Sequence, residues 1–213
     1  MNQLAIADLP LAGLKRIERL RRDDERGFLS RLFCAEELAV AGWRKPVVQI
    51  NHSFTAQRGT VRGMHFQHPP HAETKLVSCL RGEVRDVAVD VRNGSPTFLR
   101  WHAETLSADN LRALLIPEGF AHGFQALTDD VELLYCHSAP YVPAAEGGLN
   151  PRDSALGIDW PLPISALSPR DAARDRGGLV VGGLEVTDQQ HQPVVPGHRL
   201  RRLRGVPVLR HRV

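Results

Sequence analysis

Lys75-Leu76-Val77-Ser78-Cys79-Leu80-Arg81-Gly82-Glu83-Val84-Arg85-Asp86-Val87-Ala88-Val89-Asp90-Val91 reads as two strands joined by a turn. Valine and leucine dominate both halves, and branched side chains suit a pleated, half-buried surface. Arg81-Gly82 interrupts the run, and glycine accepts the positive φ of a tight turn. Asp86 breaks the apolar pattern of the second strand. A buried carboxylate requires a partner, so Asp86 is expected to be paired.

The same pattern recurs on both sides of this stretch. Pro46–Phe54, Phe98–Thr105, Leu111–Ile116, His122–Leu127 and Val131–His137 are further short stretches rich in branched or aromatic residues. Asn93-Gly94-Ser95-Pro96, Ala108-Asp109-Asn110, Pro117-Glu118-Gly119 and Asp129-Asp130 separate them, and Asn93-Gly94 is the strongest of these turn signals. Short strands at regular spacing predict an all-β sandwich or barrel. No βαβ alternation of ~30 residues is present, which argues against a parallel nucleotide-binding sheet.

Two short helices flank this series. Cys34–Ala41 contains good helix formers, with Gly42 as a stop. Ser168-Pro169-Arg170-Asp171 has a capping serine, a proline at the first helical position and an acidic residue in the first turn. Residues 1–24 read as an approach segment carrying a basic cluster at Arg19, Arg21 and Arg22. Glu25-Arg26-Gly27-Phe28-Leu29 turns into a strand. The organisation expected is an approach segment over 1–24, one domain over 25–176 and a basic Gly/Pro-containing extension over 177–213, where disorder is the default reading.

Composition narrows the function classes. Hydrophobic residues make up 42% of the 213, enough for a sizeable core. The formal charge of +3 resides in the extension, which has six arginines against Glu185 and Asp188; the rest is close to neutral. That balance argues against a body built to bind nucleic acid. No apolar run reaches the ~20 residues of a membrane span, and Asp8 and Pro10 interrupt the N-terminal apolar stretch, so a cytoplasmic protein without membrane association is expected. Cys34, Cys79 and Cys136 form neither a disulfide framework nor a Cys-x-x-Cys site.

Chemistry concentrates in Arg62-Gly63-Met64-His65-Phe66-Gln67 and the following residues to Lys75. Met64 and Phe66 alternate with His65, so they point to the opposite face of a strand. If they pack on a core, His65 faces a cavity or solvent. An imidazole titrates near neutral pH and suits a general base. Lys75 follows a Pro-rich turn and can return beside His65 on a neighbouring strand, where an ammonium suits a developing oxyanion. The structural alternative, a hydrogen-bonded histidine without catalytic duty, applies to any single such residue. His65, His68 and His71 also raise a metal-dependent enzyme, such as a dioxygenase. Strand-borne metal sites of that kind want a His-x-His pair with a later glutamate and histidine; here the spacing is two residues and Pro69-Pro70 intervenes.

Taken together, the motifs resemble the dTDP-4-dehydrorhamnose 3,5-epimerase family, a branch of the cupins. The matching stretches include Glu25-Arg26-Gly27-Phe28, Gln49-Ile50-Asn51-His52-Ser53, Arg62–Gln67, Lys75-Leu76-Val77, Gly82–Arg92, Ile116–Phe124, Glu132–Tyr135 and Leu167–Asp171. They occur in family order across residues 25–172. The resemblance implies an all-β cupin jelly-roll sandwich with short flanking helices, a homodimer, and action on a nucleotide-linked 4-keto-6-deoxy sugar, with no metal or other cofactor. It implies inversion at C3, C5 or both by proton abstraction and return beside the C4 ketone, in rhamnose-type deoxysugar biosynthesis. The alternatives are a single-centre 3- or 5-epimerase on another nucleotide sugar, the metal-dependent cupin and a non-catalytic sugar-binding cupin.

Carried over residue by residue, the resemblance implies that His65 is the base, with Asp171 paired to it. Tyr135 is the acid on the opposite ring face, and Lys75 holds the enolate oxygen. His122 and Asp86 form a supporting pair in the cavity. Arg62 and Arg26 contact the diphosphate or sugar, with Gln49, Asn51 and Arg170 on the substrate side. The chain departs from the family pattern at Arg31, in place of a glutamate, at Cys136, in place of a lysine, and at Pro140, in place of the first residue of a Tyr-Tyr pair. These departures leave the nucleotide and sugar open.

Overall fold

A computed structural model describes residues 2–174. Strands run β1 (Leu4–Asp8), β2 (Lys15–Arg19), β3 (Arg21–Asp24), β4 (Gly27–Ser30), β5 (Gln49–Thr55), β6 (Val61–Gln67), β7 (Lys75–Arg81), β8 (Glu83–Asp90), β9 (Trp101–Ser107), β10 (Arg112–Ile116), β11 (Phe120–Ala126), β12 (Val131–His137) and β13 (Glu146–Gly148). The helices are α1 (Ala35–Ala39) and α2 (Pro169–Ala172). Ser168 caps α2, its Oγ accepting from the Asp171 amide at 3.0 Å.

Strand order is β1-β2-β10-β7-β12-β5 in one sheet and β13-β6-β11-β8-β9 in the other, with β3-β4 a separate hairpin. Every pairing is antiparallel. This is the jelly-roll sandwich that the resemblance implied. Residues 1–24, which carry no strand in the sequence reading, supply β1 and β2 to the six-stranded sheet. The 177–213 extension lies outside the described residues.

Alternation along the strands sorts side chains into three cores. Val77, Cys79 and Leu133 of one sheet meet Val84, Ala88, Phe120 and Phe124 of the other in the space between the sheets. On the outer face of the six-stranded sheet, Leu76, Leu115 and Cys136 pack against Leu38 and Trp43. Met64, Phe66, Val87 and Val89 pack outward on the five-stranded sheet beneath Leu149, Leu156 and Trp160. Met64 and Phe66 therefore bury in a core, as their alternation suggested, but in the outer one. His65 pairs with His122 across β6 and β11, and directly opposed residues share a sheet face. His122 shares the strand face of the inward-facing Phe120 and Phe124, two residues to either side, so His65 is turned to the inner face.

Two glycines permit this pairing. A Cβ on Gly63, whose φ is +125°, would lie 2.5 Å from the Gly123 Cα. A Cβ on Gly123 would lie 2.7 Å from the Arg62 carbonyl oxygen. The β6–β11 register shifts between His122 and Phe124, beside this close approach.

The β8–β9 connection is organised by Asp90. Its fully buried carboxylate accepts from the Arg92 guanidinium at 2.7 and 2.9 Å, and from Ser95 Oγ and Thr97 Oγ1 at 2.6 Å each. This wrap carries the chain through a compact loop to Arg100. The strand expected from Phe98 accordingly begins at Trp101.

Candidate active site

A cavity of about 470 Å³ opens at the inner faces of β5, β6, β7, β11 and β12. It is lined by Ile50, Asn51, His52, Ser53, Arg62, Lys75, His122, Phe124, Tyr135 and His137. Apolar core residues fill the sandwich beside it, while polar groups from five strands converge here. Two of them, Arg62 and Lys75, are cations suited to a ligand that carries or develops negative charge.

Tyr135 and His137 face inward because they continue the β12 alternation from Val131 and Leu133. The Tyr135 hydroxyl lies 3.4 Å from Ser53 Oγ. Its ring meets His122 edge-on, with centroids 6.1 Å apart. Burial pushes the phenol well above the ordinary tyrosine range. Tyr135 is thus a protonated group, equipped to donate.

His122 Nε2 lies 2.9 and 3.0 Å from the two Asp86 carboxylate oxygens, and both residues are buried. The polar interruption of the β8 strand therefore has its partner. Arg62 donates through Nε to Thr55 Oγ1 and through Nη2 to the Phe54 carbonyl, each at 3.0 Å. These bonds tie its guanidinium to the β5 end of the cavity.

His65 Nε2 lies 2.7 Å from Asp171 Oδ1. Burial opposes ionisation of Asp171. Its contacts with His65, Ser168 and the Gly63 amide nonetheless hold the carboxyl below the usual carboxylate range. An ionised Asp171 accepts the Nε2 proton of a neutral imidazole and leaves the Nδ1 lone pair as the basic site. It also favours the imidazolium formed when that site takes a proton.

Lys75 returns beside His65, its Nζ 3.5 Å from the His65 carbonyl oxygen. It is also 3.0 Å from Glu73 Oε1. Burial by itself would raise the Glu73 pKa, but His137 and Lys75 together pull it below its ordinary value. Gln49 and Asn51 sit on β5, where Gln49 Nε2 donates to Asn51 Oδ1 at 3.1 Å.

Of the expected residues, Asn51, Arg62, Lys75, His122 and Tyr135 line the cavity, and Gln49, His65, Asp86 and Asp171 stand next to it, but Arg26 and Arg170 lie elsewhere. Arg26 is in the exposed β3-β4 turn, paired with Asp24 at 2.6 Å. Arg170 bonds Glu146 at 2.9 Å on the α2 side, apart from the cavity lining. Among the three histidines weighed as a metal cluster, His65 bonds Asp171 and His68 meets the Phe66 ring at 4.9 Å. Glu73, Ser53 and His137 did not emerge from the sequence reading. His137 was within reach of it, two residues beyond Tyr135 on the same strand face. Glu73 precedes β7, in a turn where no periodicity operates.

The sequence model of the family described as dTDP-4-dehydrorhamnose 3,5-epimerase matches residues 8–176. A dTDP-4-dehydrorhamnose 3,5-epimerase of Sinorhizobium fredii (strain NBRC 101917 / NGR234) is 41% identical over 175 residues, covering 82% of this chain and 90% of the relative. A dTDP-4-dehydrorhamnose 3-epimerase of Streptomyces niveus is 39% identical over 184 residues, covering 83% and 88%. Among solved structures, the dTDP-6-deoxy-D-glucose-3,5-epimerase of Legionella pneumophila Philadelphia 1, in complex with dTDP-4-keto-L-rhamnose, superposes with a TM-score of 0.76. It is 42% identical, with 80% of this chain and 91% of that one covered.

Proposed function

The chain belongs to the dTDP-4-dehydrorhamnose 3,5-epimerase family, and we propose that it is an isomerase that inverts C3 and C5 of a dTDP-linked 4-keto-6-deoxy sugar. The observation that carries this reading is the disposition of His65 and Tyr135. They belong to opposite sheets of the sandwich, and both are turned to its inner face. A sugar ring held between the sheets presents one face to each.

The reaction follows from that arrangement. His65 Nδ1 removes the proton from a carbon beside the ketone, and the C–H electron pair moves into an enolate. The negative charge collects on the C4 oxygen, where the Lys75 ammonium stabilises it. Tyr135 returns a proton to the carbon from the opposite face, the enolate collapses to the ketone, and the centre is inverted. Solvent restores the proton to Tyr135 and takes the one held by His65. Asp171 stabilises the transient imidazolium. His122 and Asp86 support the cavity wall against which the Tyr135 ring rests. Arg62, with Gln49 and Asn51, binds the diphosphate and nucleotide side.

We also read the protein as a homodimer. Phe28 and Leu29 are 59% and 73% exposed on a hairpin that pairs with neither sheet, and Ile50 and Phe54 are exposed on the edge strand β5. Burying such residues favours association by roughly 1.5–3 kcal/mol per large side chain.

The relative named as a 3-epimerase makes single-centre inversion the second reading. One experiment addresses both. The protein is incubated with dTDP-4-keto-6-deoxyglucose in deuterated water and exchange is followed by NMR. Deuterium at C3 and C5 with inversion at each is the expected result. Exchange at one carbon alone selects the single-centre enzyme. No exchange at either carbon rejects the epimerase reading.

A further inference from the structure

A continuous hydrogen-bonded row crosses three strands along the cavity wall. The Tyr141 amide donates to Gln49 Oε1 at 3.0 Å, and Gln49 Nε2 donates to Asn51 Oδ1 at 3.1 Å. Asn51 Nδ2 lies 3.3 Å from His137 Nε2. His137 Nδ1 lies 2.8 Å from Glu73 Oε2, and Glu73 Oε1 lies 3.0 Å from Lys75 Nζ. Gln49, His137 and Lys75 are direct cross-strand neighbours on β5, β12 and β7.

The direction of this row is set at both ends. A backbone N–H can only donate, so Gln49 must turn its oxygen to Tyr141 and its amide nitrogen to Asn51. Asn51 must then offer its own nitrogen to His137. The His137 Nε2 can only accept there, which puts the ring proton on Nδ1, facing the ionised Glu73. At the far end Lys75 has three N–H donors. One goes to Glu73 and one to the His65 carbonyl oxygen at 3.5 Å, leaving the third for the cavity. Two amides interrupt the row, so it conducts no protons; what it sets is orientation. The exposed side-chain fractions of Glu73, Lys75 and His137 are 9%, 9% and 10%. The Glu73 backbone is braced as well, since Thr74 and Ser138 exchange hydrogen bonds across the ends of β7 and β12 at 2.8 and 3.0 Å.

We propose that Glu73 and His137 are positioning residues that aim the Lys75 ammonium at the ketone oxygen, with Gln49 and Asn51 holding His137 in the tautomer this requires. The inference rests on the epimerase reading and on the assignment of Lys75 to the enolate oxygen. It gives Gln49 and Asn51 a role in the chemical step besides substrate contact. His137 also stacks on Tyr135, with centroids 6.1 Å apart at 21°, so the same side chain steadies the proposed acid.

The test uses the full chain and two variants. Glu73→Gln keeps an acceptor for His137 but turns an amide NH₂ toward Lys75. His137→Phe keeps the ring against Tyr135 and deletes both hydrogen bonds. Each should lower kcat by about 10- to 100-fold, the scale of a misplaced catalytic group, while KM and dTDP affinity change by less than about threefold. Introduced beside Lys75→Met, Glu73→Gln should cost nothing further, because a residue that acts through Lys75 has nothing left to position. Residual rates are read by NMR as solvent deuterium uptake. Unchanged kcat in either folded variant, a raised KM in place of a lowered kcat, or a further tenfold loss in the Lys75→Met background overturns the proposal. If one variant fails to melt cooperatively, the other decides. A wild-type chain that binds dTDP but exchanges no deuterium refutes the epimerase reading itself, which is a distinct outcome.

Discussion

His65 Nε2 and Asp171 Oδ1 lie 2.7 Å apart, across 106 residues of sequence, one on the middle of a strand and the other on the first turn of the last described helix. Ser168 caps that helix and thereby fixes the carboxylate that orients the imidazole. The proposed proton transfer at His65 therefore requires a four-residue helix docked against β6.

Replacing His65 by Asn removes the basic nitrogen and keeps a polar side chain of similar reach. Deuterium exchange beside the ketone should fall by about 10²–10⁴-fold, with dTDP binding and thermal melting near wild type. Asp171→Asn should lose at least about 10²-fold by the same assay, because the imidazolium loses its counter-charge. Near wild-type exchange in the His65 variant would assign the base elsewhere.

Tyr135→Phe deletes one oxygen and keeps the ring against His122 and His137. His65 can still remove a proton and return solvent deuterium to the same face. The variant should retain exchange at C3 or C5 and lose most of the inverted product. Inversion at C5 at the normal rate would move the acid role to water or another group. Loss of exchange as well would make Tyr135 a binding residue.

Gly123→Ala places a Cβ 2.6 Å from Met64 Sδ and 2.7 Å from the Arg62 carbonyl oxygen. The sulfur can shift, but the backbone oxygen cannot do so without parting β6 from β11. Urea denaturation should show a loss of about 1–3 kcal/mol, the usual range for overpacking. Gly63→Ala combines a similar clash with a positive φ and should lose at least as much. Both should also lower kcat, since the pairing they disturb brings His65 opposite His122.

Acid should weaken the β8–β9 loop through Asp90. Burial raises the pKa of this carboxyl, but Arg92, Ser95 and Thr97 outweigh it and bring the value down to about 2 from an ordinary 3.8. A depressed acid contributes its stability above the unfolded value and loses it as pH falls through the folded one. The contribution is about 2 kcal/mol above pH ~4, lost progressively toward pH ~2. Asp90→Asn should cost about that much at pH 7, and it should flatten the dependence of the unfolding free energy between pH ~4 and ~2.

Light scattering should return twice the 23.6 kDa chain mass at micromolar concentration. Phe28→Ser with Leu29→Ser should shift the species toward monomer, because these two side chains are the exposed apolar surface that the proposed dimer would cover. A wild-type mass that stays at 23.6 kDa would remove the dimer.

Much of the architecture was legible in the chain because alternation is local. Val131–His137 is a strand in the sequence reading and in the structure. The Gly82 and Asn93-Gly94 turns fall where glycine's positive φ is used. Such signals need only neighbouring residues, and the ordered motifs then identified the family. What lay beyond local reading were partners and layers. β1 and β2 have little apolar alternation of their own and become strands by pairing with each other and, through β2, with β10. Alternation told Met64 and Phe66 from His65, but only the fold disclosed a second core, beneath Leu149 and Trp160, to receive them. Arg26 belongs to a family motif, yet its hairpin carries it away from the cavity of its own chain. Glu73 becomes the link between Lys75 and His137 only when β7 and β12 lie side by side. Local pattern in the chain was enough for most strands from β5 onward, for the turns between them and for the family. The tertiary structure decided which groups meet, because pairing across sheets joins residues that no local pattern connects.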